Sequence, residues 1–278
     1  MPPGYSAQQK AAVSQFMSFA NTDRNTAIRY LKSANWDPTT AVNTFFGSGG
    51  VGAGQGNSSA VKANLTKLFD TYREDVANAP DSVGPDGSMR YFQTLGIDLE
   101  GLDVLVVSEI IQAPTMAEMS RQGFVDGWAE AGCDTIDKQK AYLKSLKQRL
   151  PSNKEAFAKV YKYTFTLGKA ANQKAVPLDV AITYWELLFT SPLAAVRWKT
   201  PSTPWITWWS EFLNSQWKKS VNRDMWNETL RFAQLTLEDE AISFWNEESS
   251  WPSVIDDFVA WVKKEKRGGE PEPEVMEY

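Results

Sequence analysis

Between Ser6 and Gly47 apolar residues recur every three or four positions, in three short blocks separated by polar breaks. Ala12, Val13, Phe16, Met17 and Ala20 share one helical face, Ala27, Ile28 and Leu31 a second, and Ala41, Val42, Phe45 and Phe46 a third. That period predicts three helices, the second capped by Thr22 or Asp23. Asp37 is a good cap for the third, Pro38 fits its first helical position, and Gly47 suits its stop. The segment 6–47 is therefore expected to form a minimal three-helix bundle. Residues 48–60, rich in glycine and serine, have the composition of a flexible linker. From 61 to 266 helical spacing dominates, in stretches such as VKANLTKLFDTYRED, LDVLVVSEII, KEAFAKVYKYTFTLGKA and PLDVAITYWELLF. No Asn-Gly hairpin signal interrupts them, and Thr164 and Phe165, which favour strands, sit in a segment long enough to be a helix. The tail 267–278 is polar and proline-rich, a composition that predicts disorder. The expected fold class is all-α.

Composition narrows the chemistry. The chain has 278 residues, 42% hydrophobic and 23% charged, ordinary for a globular protein. No apolar run approaches the ~20 residues needed to cross a bilayer, and MPPGYSAQQK lacks a signal-peptide layout. The expectation is an intracellular protein of cytoplasm or nucleus with no membrane partner. Histidine is absent and Cys133 is the single cysteine. These two facts remove histidine-based triads, histidine-ligated metals, cysteine-rich zinc sites and an intramolecular disulfide. No catalytic residue, metal ligand or cofactor is predicted. A net charge of −5 argues against nucleic acid and for a basic protein partner. Twelve tryptophans, ten of them from Trp185 onward, exceed what an ordinary core asks for and suit a binding surface as well.

Three local patterns remain. SVGPDGSMRYFQ (82–93) has the outline of a calcium-binding loop, with Asp86 at the fifth position and Gly87 at the sixth. Ser82, Gly84 and Gln93 occupy the first, third and twelfth, where carboxylates should coordinate, so a helix-loop-helix without metal is expected. Cys133, without a histidine to activate it, reads as a buried structural thiol. The third pattern is SSWPSVIDDFVAWVKKEKR (249–267), whose Val254, Ile255, Phe258, Val259, Trp261 and Val262 form an apolar stripe with Asp256 facing away. Neither Asp256 nor Asp257 has a base three or four residues on. Ser253 to Asp256 resembles a capping box. Yet from Asp224 to Asp257 there are nine acidic residues and one base, Arg231, interleaved with Trp226, Trp245 and Trp251. That density suggests a docking face for a basic partner.

AVSQFMSFANTDRNTAIRYLKSANWDPTTAVNTFF resembles a ubiquitin-associated domain. FVDGWAEAGCDTIDKQK, KYTFTLGKAANQKAVPLDVAITYWELLF, DMWNETLRFA and WPSVIDDFVAW resemble the potentiating-neddylation domain of the defective-in-cullin-neddylation family. The resemblance implies a larger helical domain (61–266) with degenerate EF-hand-like helix-loop-helix units. It also implies a non-catalytic, scaffold-type ligase that promotes cullin neddylation and so regulates cullin-RING ubiquitin ligases. A ubiquitin-binding adaptor without a direct role in cullin modification is the alternative.

The implied partners are the cullin C-terminal winged-helix region, the neddylation conjugating enzyme with its acetylated N-terminus, and the RING subunit. Ubiquitin or its relative would bind through 6–47. The family's Asp-Ala-Asp cullin patch falls on Asp224, Ser250 and Asp256, with Asp256 free of an internal partner and Asp257 giving local support. Its pocket for the acetylated methionine falls on Val104, Val107, Ile111, Ala113, Ala117, Leu167, Tyr184 and Leu187. VRWKTPSTPWITWW (196–209) receives no function from the sequence.

Overall fold

The computed structural model describes residues 5–20, 22, 24–47, 55–170, 172–246 and 248–268. Asp23, Glu247, most of the expected linker (48–54), the end of the expected tail (269–278) and the side chains of Ala20 and Phe46 lie outside the described residues. Contacts divide the chain into two units, Met1–Val61 and Lys62–Tyr278.

In the first unit, α1 (Ala7–Ala20), α2 (Arg24–Ser33) and α3 (Pro38–Gly47) pack around Ala12, Val13, Phe16, Ala27, Leu31, Ala41 and Phe45. Phe16 meets Phe45 edge-on with ring centroids 5.5 Å apart, an arrangement that aromatic quadrupoles favour. Asn35 and Trp36 turn the chain through left-handed backbone. Asp37 then caps α3, its carboxylate accepting the Thr39 and Thr40 N–H groups at 3.1 and 3.3 Å. The Thr40 hydroxyl, which also donates to it, is the main cause of its lowered carboxyl pKa.

The second unit is built from paired helix-loop-helix motifs. In the first pair, α4 (Gln55–Asp70), which belongs to this unit from Lys62 onward, leads through β1 (Ser82–Val83) to α5 (Pro85–Leu95), and α6 (Leu102–Ile110) leads through β2 (Met119–Ser120) to α7 (Arg121–Glu130). The loops join as antiparallel strands with Ser82 opposite Ser120 and Val83 opposite Met119. After α8 (Ile136–Arg149) the plan repeats. Here α9 (Lys154–Gly168), β3 (Ala175–Val176) and α10 (Leu178–Thr190) are followed by α11 (Trp205–Phe212), β4 (Val221–Asn222) and α12 (Arg223–Glu238). Ala175 lies opposite Asn222 and Val176 opposite Val221. The last helix is α13 (Ser253–Trp261), and a wider π-type turn (Val262–Lys266) continues it.

Much of the tryptophan excess is core. Tyr161, Trp185 and Trp226 stack at centroid distances of 4.9 and 5.0 Å. Their polar atoms satisfy one another: Trp185 donates to the Tyr161 hydroxyl, which donates to the Trp226 carbonyl, both at 2.7 Å. Trp209 links this stack to Trp198 and to Phe258 of α13. Trp226, which the sequence reading set on the docking face, is thus fully buried. The segment 196–209 likewise finds its role here. Val196, Trp198, Trp205 and Trp209 are buried, and Glu240 pins the intervening turn through the hydroxyls of Ser202 and Thr203 at 2.6 and 2.7 Å.

Three boundaries differ from expectation. Helix α4 starts at Gln55, inside the glycine-rich stretch. Extending a helix already anchored by buried Leu65 and Phe69 costs less than starting one. Arg267 is anchored rather than part of a disordered tail: it donates to the Glu240 carbonyl and lies 5.4 Å from the Trp205 ring centroid. The calcium-like register is also displaced. Pro85 opens α5, so Asp86 and Gly87 sit in a helix turn and the loop proper runs from 71 to 84. A Cβ on Gly87 would stand 2.1 Å from the Tyr72 carbonyl oxygen, and its N–H donates to Glu74 at 2.9 Å. A metal-binding side chain has no room at that position.

Candidate docking surfaces

The strand-to-helix step at β4 and α12 sets Asp224. Asn222 caps the helix, accepting the Met225 N–H at 2.8 Å. The first-turn acid is therefore not needed as a cap. Asp224 is exposed and meets no hydrogen-bond donor or cation among the described residues. Its charge is favourable near the positive end of the helix dipole.

Asp256 lies in the first turn of α13, half-buried. The expected capping box does not form: Ser253 is the first helical residue and makes no side-chain cap. Nor does Asp256 lack a partner, because the Trp245 indole N–H donates to it at 2.8 Å. Sequence reasoning missed that contact because it searched for bases at helical spacing, and the donor is neutral and comes from a loop. Asp257 is exposed and accepts no hydrogen bond from a side chain or backbone donor among the described residues. Ser250 is exposed, one residue before Trp251, whose ring packs on Phe232 with Arg231 4.7 Å from its centroid. Phe232 follows Asp224 by eight residues, about 12 Å along the helix axis.

The eight described carboxylates of the acidic run divide into two kinds. Glu228 pairs with Arg231 at 3.1 Å and Glu238 with Lys154 at 3.3 Å. Asp239 accepts the Ala241 and Ser243 N–H groups at 3.0 and 2.7 Å, while Glu240 holds the 200–203 turn. These four serve the fold. Asp224, Glu248 and Asp257 remain exposed, and Asp256 is oriented but not neutralised.

The apolar candidates gather on three helices. Val104, Val107, Ile111 and Ala113 are buried along α6 and just beyond its end. Leu167 closes α9, also buried, and Tyr184 and Leu187 lie half-buried one turn apart on α10. Helix α9 links the two groups. Tyr163 donates to the Ala113 carbonyl at 2.6 Å, and Gly168 lies so near Tyr184 that a Cβ there would be 3.0 Å from its ring. Burial raises the Tyr163 hydroxyl to about 12. Ala117 departs from the set, standing exposed in the loop before β2. The floor under α6 depends on α7, where added Cβ atoms on Gly123 and Gly127 would meet the Ile111 and Ile110 carbonyls at 2.2 and 1.9 Å.

Elsewhere Cys133 is 6% exposed, and burial raises its thiol pKa. Among the described residues no three His, Cys, Asp or Glu groups gather as metal ligands, and no helix is long and apolar enough to cross a membrane. A cleft of about 810 Å³ between α6, α7, α8 and α9 carries Glu109, Glu130, Arg149 and Lys159. Burial raises the Glu109 carboxyl pKa against the pull of Lys159. None of the eight apolar candidates lines this cleft.

A family model described as cullin binding matches residues 138–261, and one described as a UBA-like domain matches 10–52. The chain is 34% identical to Defective in cullin neddylation protein 1 of Pyricularia oryzae, over 94% of this chain and 95% of that one. Proteins of the same name from Eremothecium gossypii and Yarrowia lipolytica are 30% and 27% identical. They cover 92% and 91% of this chain and 97% and 96% of their own lengths. Asp224, Ser250 and Asp256 all fall within the cullin-binding match, as do Leu167, Tyr184 and Leu187.

Proposed function

This chain belongs to the defective-in-cullin-neddylation family, and from that membership we propose that it is a scaffold-type ligase promoting cullin neddylation. Likeness over nearly the full length of both chains carries the reading. In it, Asp224, Ser250 and Asp256 dock a basic surface of the cullin C-terminal winged-helix region. Val104, Val107, Ile111, Ala113, Leu167, Tyr184 and Leu187 receive the acetylated N-terminal methionine of the conjugating enzyme, with Ala117 at the rim. Acetylation removes a charge that would be costly to bury among such residues. The RING subunit completes the assembly, and the 6–47 bundle binds ubiquitin or its relative.

The scaffold contributes geometry. Holding a charged conjugating enzyme beside its acceptor lysine converts an encounter into a step within one complex, a gain that needs no nucleophile on the scaffold. A chain without histidine, whose one cysteine is buried, suits that division of labour. Exposure of Asp224 and the open second oxygen of Asp256 support the acidic patch.

The test is affinity for a cullin C-terminal fragment, measured by calorimetry. Asp224→Ala combined with Asp256→Ala is expected to weaken binding at least tenfold, as loss of two charged contacts implies, with unchanged helicity. Equal affinity in the double variant would remove the patch from the account.

A further inference from the structure

Two groups converge on one indole. Trp245 donates its N–H to the Asp256 carboxylate at 2.8 Å, and the Lys263 ammonium stands 4.4 Å from the same ring's centroid. The ring is half-buried, in a connection whose backbone is tied down on its N-terminal side. There Asp239 accepts two backbone N–H groups, buried Ile242 adopts left-handed φ, and the Trp245 N–H donates to the Ile242 carbonyl at 3.1 Å.

The choice of donor matters. A lysine or arginine at this place would neutralise the carboxylate, whereas an indole N–H is uncharged and donates only once. It takes one carboxylate oxygen, fixes the side chain and leaves both the negative charge and the second oxygen for an incoming cation. Lys263 is the first base that follows Asp256 along α13 and its π-type continuation. Its ammonium lies over the ring by a cation–π contact, and it forms no ion pair with Asp256 among the described residues.

We propose that Trp245 is a positioning residue that presents Asp256 to the basic docking partner and keeps Lys263 off it. This rests on the reading of Asp256 as a docking contact. Asp256 alone would sample several rotamers, and an incoming cation would have to select one. With the indole in place the carboxylate is already aimed, and the binding energy is not spent on ordering it.

The experiment uses the full chain and a cullin C-terminal fragment. Trp245→Phe keeps an aromatic ring for Lys263 but removes the N–H, and affinity should fall about fivefold, the worth of one hydrogen bond. In an Asp256→Ala background the same change should have no further effect. Equal losses in both backgrounds would mark a merely structural role and overturn the proposal. So would full affinity in Trp245→Phe while Asp256→Ala weakens binding. If Asp256→Ala itself leaves affinity intact, the docking reading fails first and this proposal with it. The wild-type spectrum gives a readout independent of folding losses in Trp245→Phe. The Trp245 indole ¹H–¹⁵N resonance should move in Asp256→Asn, and an unmoved resonance would contradict the hydrogen bond.

Discussion

Asn222 and Asp224 divide between them two jobs that one acid often does at a helix start. Asn222 satisfies the helix N-terminus and Asp224 is left exposed. The division predicts opposite phenotypes. Asn222→Ala should cost about 1 kcal/mol of stability, as loss of a cap does. Asp224→Ala should leave the urea midpoint nearly unchanged while weakening cullin binding. Urea denaturation beside calorimetry separates the two, and equal stability losses would mean that Asp224 serves the fold. The same distinction runs through the acidic stretch, where Glu240 and Asp256 look alike in sequence. One is consumed by hydroxyls of a turn thirty-seven residues away in the chain, and the other is aimed by an indole. Neither partner follows from helical spacing, so neither was legible beforehand.

Among the elements, helix periods were readable and loop registers were not. Within the stripes of 6–47 and 254–262, Ala12, Val13, Phe16, Ala27, Leu31, Ala41, Phe45, Val254, Ile255, Phe258, Val259 and Val262 are buried on helices, because a helical stripe depends on local spacing. The loop at 82–93 was misplaced because Pro85 both ends a loop and opens a helix, and composition does not separate the two roles. Helix α7 shows how an element's backbone can decide another element's position. Its two glycines let it approach the carbonyl end of α6, which carries Val107 and leads into Ile111, two of the residues proposed to receive the acetylated methionine. Gly127→Ala should therefore cost about 1–3 kcal/mol by overpacking and weaken binding of an acetylated N-terminal peptide of the conjugating enzyme. Wild-type stability and peptide affinity in that variant would show that the close approach is dispensable.

At the scale of the whole molecule, the chain has no histidine and its single cysteine, Cys133, is buried. Its repeated helix-loop-helix pairs make a packed frame. An aromatic core joins α9, α10, α11, α12 and α13, so that Trp185, Trp209, Trp226 and Phe258 tie the acidic helices to those carrying Tyr184 and Leu187. A frame of that kind suits a protein that acts by holding two partners at a fixed separation. The tryptophan excess was visible in the sequence, but its division between core and surface was not, since an indole suits both. The most direct test of the scaffold reading is the rate of cullin modification in a reconstituted reaction of conjugating enzyme, RING subunit and cullin. The full chain should raise that rate, and the variant carrying Asp224→Ala and Asp256→Ala should lose most of the increase. A rate indifferent to the chain, or an undiminished increase with the double variant, would contradict the account.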